Sequence, residues 1–109
     1  MAVDGIWRVE MWGPYGWEAV STAFLHAGDY RAGSDKHFAL GRYSEANGRL
    51  KVEVTVTNYG DGSAFFGKNE PVFRVNLSGE INGPTVTGEA SDVELKYSIP
   101  IRMVKVGDL

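Results

Sequence analysis

Apolar and polar side chains alternate in several short stretches of the chain, which is the pattern of β-strands with one buried face. The clearest example is LKVEVTVTN at 50–58, where every second residue is Leu or Val and the residues between them are charged or Thr. The same alternation occurs at 5–12, 73–79 and 93–99. These four stretches predict four strands that share one core.

Weaker strand patterns fill the rest of the chain, at 17–26, 29–33, 37–43 and 85–90. Between the stretches lie GPYG at 13–16 and the dipeptides Asn47-Gly48, Asp61-Gly62 and Asn82-Gly83. Asn-Gly and Asp-Gly adopt the positive φ angles of tight hairpins, so successive strands are predicted to be antiparallel neighbours. No stretch predicts a helix of useful length.

The number and spacing of these strands predict an all-β fold in one domain covering 1–109, a length typical of a single domain. Seven or eight hairpin-linked strands form an up-and-down antiparallel meander, and closing it into a small eight-stranded barrel removes the exposed strand edges. A β-sandwich is the alternative architecture. Pro100 cannot donate a ladder hydrogen bond, so the last strand is expected to bend or to lie at an edge there.

Composition narrows the chemistry. The chain has no cysteine, which excludes disulfides, thiolate metal sites and cysteine nucleophiles. Its net charge is −3 and its eleven Lys and Arg residues are scattered, so we expect no nucleic-acid binding. The first residues have neither a basic start nor an apolar run, and no segment is long and apolar enough to span a bilayer. We therefore expect a cytoplasmic location and no membrane association.

Two histidines, His26 and His37, enclose Asp29 and Asp35 in HAGDYRAGSDKH. A metal site needs a third ligand at a defined spacing, which the sequence does not show, so we interpret both histidines as strand ends and predict no metal. No nucleophile elbow or phosphate-binding loop is present. Glu10, which alternation places on a polar strand face, is expected to be solvated. The protein is therefore predicted not to be an enzyme and to need no cofactor.

Four large side chains are predicted to point into the barrel: Trp7, Met11, Phe73 and Tyr97. An eight-stranded barrel is wide enough to be filled by side chains or to hold one small ligand. These residues therefore either form a solid core or line a lumen that binds a small apolar molecule, which would make the protein a carrier.

Phe65 and Phe66 lie among glycines in the turn-rich stretch 58–71. They either cap the end of the core or form an apolar contact for a partner, since exposed aromatic pairs mark binding surfaces.

Three stretches resemble the GrlR family of lipocalin-like barrels, which are negative regulators of type III secretion. They are DGIW with Asp4, Gly5 and Trp7, then HAGDYRAGSDKHFALGRY with the Gly28-Asp29 and Gly41-x-Tyr43 steps, and then GRLKVEVTVTNYG. The resemblance covers about the first 60 residues, and the remainder matches only as a general strand pattern. It implies a lipocalin-like barrel that forms a homodimer and represses by sequestering a helix-turn-helix transcriptional activator, without catalysis or cofactor.

The sequence departs from this family at one place. Its regulators carry an acidic run before the long strand to engage the basic activator, whereas this chain has SEANGR, with Glu45 as the only acid. We keep Glu45 as a candidate partner contact, together with Phe65 and Phe66. For the dimer, we predict an outward apolar surface near Val20 and Phe24.

Overall fold

The computed structural model describes residues 3–59, 71–93 and 97–109, with only the backbone described at residue 97. The strands of this part are β1 Gly5–Gly13, β2 Gly16–His26, β3 Asp29–Gly33, β4 His37–Ala46, β5 Arg49–Asn58, β6 Val72–Asn82, β7 Thr85–Asp92 and β8 Tyr97–Gly107. Each strand runs antiparallel to the one before it, and β8 pairs with β1, so the meander closes into a barrel. The barrel prediction is confirmed, and the β-sandwich alternative is wrong. Among the described residues there is no helix of the length and apolarity that a membrane span requires.

The predicted alternation sets the inside and outside of the barrel. In β5, Leu50, Val52, Val54 and Val56 are buried, and the residues between Leu50 and Val56 are exposed. The other strands contribute in the same way, so that the lumen holds a single apolar core.

The last strand begins later than its sequence pattern predicts. Asp92 pairs with Tyr97, so Val93 follows the end of β7 and is 41% exposed. The prediction that Val93 belongs to the strand is therefore wrong. Pro100 pairs with Glu89 of β7, whereas pairing with β1 starts one residue later, at Ile101. This agrees with the expectation that proline lies where the strand lacks a second neighbour.

A β-bulge in β2 changes which residues face outward. Val9 pairs with Ser21 while Glu10 pairs with Ala19, so Val20 is an extra residue on its strand. Such an insertion reverses the inward and outward alternation beyond it. Val20 consequently packs against the core, whereas Phe24 stays on the outside at 44% exposure. The predicted surface near both residues is therefore wrong for Val20.

Two glycines lie where neighbouring strands approach too closely for any side chain. A methyl group on Gly41 would place its carbon 1.9 Å from the carbonyl oxygen of Glu53, and one on Gly88 would lie 1.9 Å from that of Ser78. Glycine at such points lets strands bend sharply, which a small closed barrel requires.

Candidate protein-binding surface

Most of the side chains predicted to point into the barrel are part of its packed core. Trp7 and Phe73 are buried and Met11 is partly buried, while the side chain of Tyr97 lies outside the described part. The lumen cavity lined by described residues measures about 30 Å³ and touches Met11 but neither Trp7 nor Phe73. Small-molecule sites usually occupy about 300 to 1,000 Å³. A cavity of this size has room for a water molecule or two.

The indole N–H of Trp7 donates to the carbonyl oxygen of Val3 at 2.9 Å. This bond satisfies the polar atom of a ring that is 1% exposed. Trp7 is therefore part of the packed core, with its one polar atom hydrogen-bonded.

The two histidines do not meet. His26 pairs with Asp29, the first residue of β3. His37 comes just before Phe38, which pairs with Gly33, the last residue of β3. The two histidines therefore lie at opposite ends of that strand. The His26 ring is largely exposed, with Nδ1 3.9 Å from a carboxylate oxygen of Asp4. His37 is buried, with Nδ1 3.1 Å from the Ser34 hydroxyl. In the described ranges no three His, Asp or Glu side chains are grouped to hold a metal ion.

Burial lowers the pKa of His37, and the nearby Asp35 carboxylate opposes this effect only in part. The imidazole is therefore neutral at physiological pH. Its partner Ser34 also accepts hydrogen bonds from the backbone N–H groups of Lys36 and His37. Ser34 and His37 therefore stabilise the turn between β3 and β4.

The residues that carry the family resemblance come together at one end of the barrel. The Tyr43 hydroxyl donates to the Asp4 carboxylate, and the Tyr43 backbone N–H donates to the Gly28 carbonyl at 2.9 Å. Burial, together with the Asp4 contact, raises the pKa of Tyr43 to about 12. Tyr43 therefore stays protonated, and the cluster ties the N-terminus and the β2–β3 turn to β4.

The Gly28-Asp29 step belongs to the same structural arrangement. Gly28 has a φ of +90°, and a methyl group there would lie 2.7 Å from a guanidinium nitrogen of Arg42. Arg42 in turn donates to the Asp29 carboxylate at 2.7 Å. The motif is explained by turn geometry and packing.

Glu45, the acid kept as a partner contact, is only partly exposed. It lies two residues after Tyr43 on β4 and so faces the same inward side, and its Oε1 atom is buried with no hydrogen-bond partner among the described residues. The other two predicted contacts, Phe65 and Phe66, lie outside the described residues.

Large apolar side chains are concentrated on the outside of the barrel around β4. Phe38 and Leu40 project outward from this strand at 39% and 51% exposure. The ring of Tyr59 lies 6.0 Å from that of Phe38. We call this surface the β4 face, and it consists of Phe24, Phe38, Leu40, Tyr59 and Val72.

The β4 face was not predicted from alternation, apart from Phe24. A strand with one buried face should have polar residues outside, whereas FAL at 38–40 is apolar on both sides. That double apolarity is the signal in the sequence. Large exposed apolar side chains concentrated in this way mark sites of protein interaction.

Two arginines lie within the same outer surface. Arg31 pairs with Phe24 on one side and with Leu40 on the other, and Arg74 pairs with Thr55. Arg31 and Arg74 form no ion pair with any carboxylate in the described ranges. Leu40 and Arg74 also line an open groove of about 430 Å³ that crosses β4, β5 and β6.

A second exposed aromatic group lies on the β1–β2 hairpin. Trp12 and Trp17 meet edge to face at 5.5 Å, and Tyr15 at the turn is 94% exposed. The guanidinium of Arg102 lies 4.5 Å from the centre of the Trp17 ring and donates to Glu10 at 2.7 Å.

Glu10 is thus covered, at 8% exposure, and its predicted solvation is wrong. The reason is that two arginines from the outer face cover its carboxylate, with Arg8 at 3.4 Å in addition to Arg102. The hydrogen bond from Arg102 is the main cause of its lowered pKa.

No protein-family model matches the chain, and a search of curated proteins found no match.

Proposed function

We propose that this chain is a non-catalytic, cytoplasmic protein-binding module that acts through the β4 face as a regulator of the GrlR type. In this role it sequesters a transcriptional activator and so represses type III secretion genes. The β4 face is the observation that carries the proposal, because five large apolar side chains there remain exposed on a barrel whose core is already filled.

The arrangement of the histidines is in keeping with a non-catalytic role. His37 is turned toward a turn hydroxyl, and His26 is exposed at the other end of β3. A general base would need to lie within hydrogen-bond reach of its target in a cleft. The chemistry of the proposal is therefore side-chain contact with another protein.

The test is a comparison of two outward substitutions in the native host. Leu40→Glu places a charge in the β4 face, whereas Thr87→Glu places one on the exposed outside of β7. We expect Leu40→Glu to abolish co-purification of the bound regulator and to relieve repression, and Thr87→Glu to leave both unchanged. Thermal unfolding establishes that both variants are folded. Full repression by folded Leu40→Glu protein would refute the proposal.

A homodimer is part of the proposal. Sedimentation at micromolar concentration should give twice the monomer mass of 11.9 kDa. Trp12→Ser and Leu40→Glu then identify whether the hairpin aromatics or the β4 face form the contact. A monomeric mass at all concentrations would contradict the dimer while leaving regulator binding testable.

The alternative hypothesis, a carrier of a small apolar ligand, requires space in the lumen. The cavity of about 30 Å³ lined by described residues gives it little support. Native mass spectrometry of protein from its own host tests this directly, since a carrier would retain a stoichiometric adduct.

A further inference from the structure

We infer that the partner segment that covers the β4 face is an acidic amphipathic helix. This inference rests on the proposed function and specifies the chemistry of its partner. It differs from what the family resemblance implies, where an acidic segment of the regulator engages a basic activator.

The charge of the partner follows from the position of Arg31. Strand pairing places Arg31 directly between Phe24 and Leu40. A partner that covers both apolar side chains must therefore cover the guanidinium as well. Removing an unpaired charge from water is unfavourable unless the partner supplies an opposite charge. Arg31 has no carboxylate partner within the described part of the chain, so the incoming segment must provide one.

Arg74, which lines the groove of about 430 Å³, repeats this requirement two strands beyond Leu40. It lies beside Thr55, and Leu40 lies on the other side of Thr55. Arg74 has no ion pair among the described residues either. The other arginine that lines the groove, Arg42, is already paired with Asp29 at 2.7 Å.

One acid, Glu53, also lines the groove. It pairs with Arg42 on β4 and with Asn76 on β6, and so lies in the next cross-strand row. The row that runs from Phe24 through Arg31, Leu40 and Thr55 to Arg74 carries two positive charges and no negative one. An acidic partner complements this row, whereas a basic partner would bring a third positive charge to it.

A helix is the form of partner that the fold accepts. At the β4 face, Phe24, Phe38 and Leu40 each pair with residues of the strands on both sides, so no backbone edge is available there for an added strand. Binding must then use side chains, as when an amphipathic helix lies in a groove. Phe24 and Leu40 are two strands apart, about 10 Å. Residues seven apart on one face of a helix are separated by about 10.5 Å.

The experiment is a phage-displayed library of 18-residue amphipathic helices with fixed Leu positions, in which the flanking charged positions are Glu or Lys. It is selected on the wild-type protein, on the double variant Arg31→Gln/Arg74→Gln, and on the control Arg49→Gln. Arg49 is at the other end of β5 and contacts Ser78. Unfolding curves confirm that all three proteins are folded.

We expect selection on wild type and on the Arg49→Gln control to enrich Glu over Lys by about tenfold or more, and selection on the double variant to lose this preference. Enrichment of Lys, equal enrichment of both, no enriched helix, or a Glu preference that survives in the double variant would each overturn the inference. If the Leu40→Glu substitution still abolishes regulator binding in those cases, the proposed function stands and only the acidic helix fails. A dimer that Leu40→Glu dissociates, with no helix enriched, would identify a second copy as the occupant instead.

Discussion

Replacing Gly41 with alanine should open the barrel between β4 and β5. The added carbon would lie 1.9 Å from the Glu53 carbonyl oxygen and 2.7 Å from the Val54 Cα. Carbon and oxygen atoms in neighbouring strands normally approach to about 3.3 Å. The two backbones must therefore separate by roughly 1.4 Å, and neither contact is with a flexible side chain that can move aside.

This separation exceeds what a ladder hydrogen bond tolerates, so about two of them are lost at about 1 kcal/mol each. Overpacking of the core beneath adds about 1 to 2 kcal/mol. We expect Gly41→Ala to lower the free energy of unfolding by about 3 to 4 kcal/mol, a large part of the total for a small domain.

Urea denaturation followed by circular dichroism measures this change. With a slope of about 2 kcal/mol per molar urea, the midpoint should fall by about 1.5 to 2 M. Gly33→Ala is the matched control, because the nearest atom to its added carbon is 4.0 Å away and its φ is not positive. Gly33→Ala should therefore unfold within about 0.3 M of wild type. The reasoning is refuted if both variants unfold at the same urea concentration.

Three further predictions concern groups inside or against the barrel wall. Burial lowers the pKa of His37 from 6.5, so the folded state resists protonation of this ring. The free energy of unfolding should therefore be highest above about pH 6.5 and should fall below it by at most about 1.4 kcal/mol per pH unit. Urea midpoints between about pH 7.5 and 5.5 measure this decline. Arg102→Gln removes the 2.7 Å bond to the covered carboxylate of Glu10, and we expect a loss of about 1 to 2 kcal/mol in chemical denaturation, smaller in a background that also carries Glu10→Gln. Ala39→Val adds apolar atoms to the cavity of about 30 Å³, so calorimetry should show a stability gain of about 1 kcal/mol.

Each of these predictions has a control. His37→Gln should flatten the pH dependence, and a decline that persists in His37→Gln assigns it to other groups. Equal losses from Arg102→Gln with and without Glu10→Gln would contradict the ion pair. Ala23→Val, at a fully buried position that does not line the cavity, should destabilise the protein. A destabilised Ala39→Val variant would show that the lumen has no spare volume.

The strand content and the antiparallel order are determined by the sequence alone. Alternation in stretches such as LKVEVTVTN and the Asn-Gly turns at 47–48 and 82–83 act over a few residues, so each is readable without knowledge of its neighbours. The predicted strand at 29–33 matches β3 residue for residue. The spacing of His26 and His37 argues against a shared metal site, and the structure places them at opposite ends of β3.

Only the tertiary structure decided which outward residues matter. The bulge that turns Val20 inward arises from pairing with β1, and a run such as WEAVSTAFLH does not encode its own register. The cover of Glu10 by Arg102 depends on β8 closing against β1, because the two residues are ninety-two positions apart along the chain. Arg31 becomes a charge between two apolar side chains only when β2, β3 and β4 align. Alternation places a residue inside or outside, but cross-strand register decides what lies beside it, and that register is set by barrel closure.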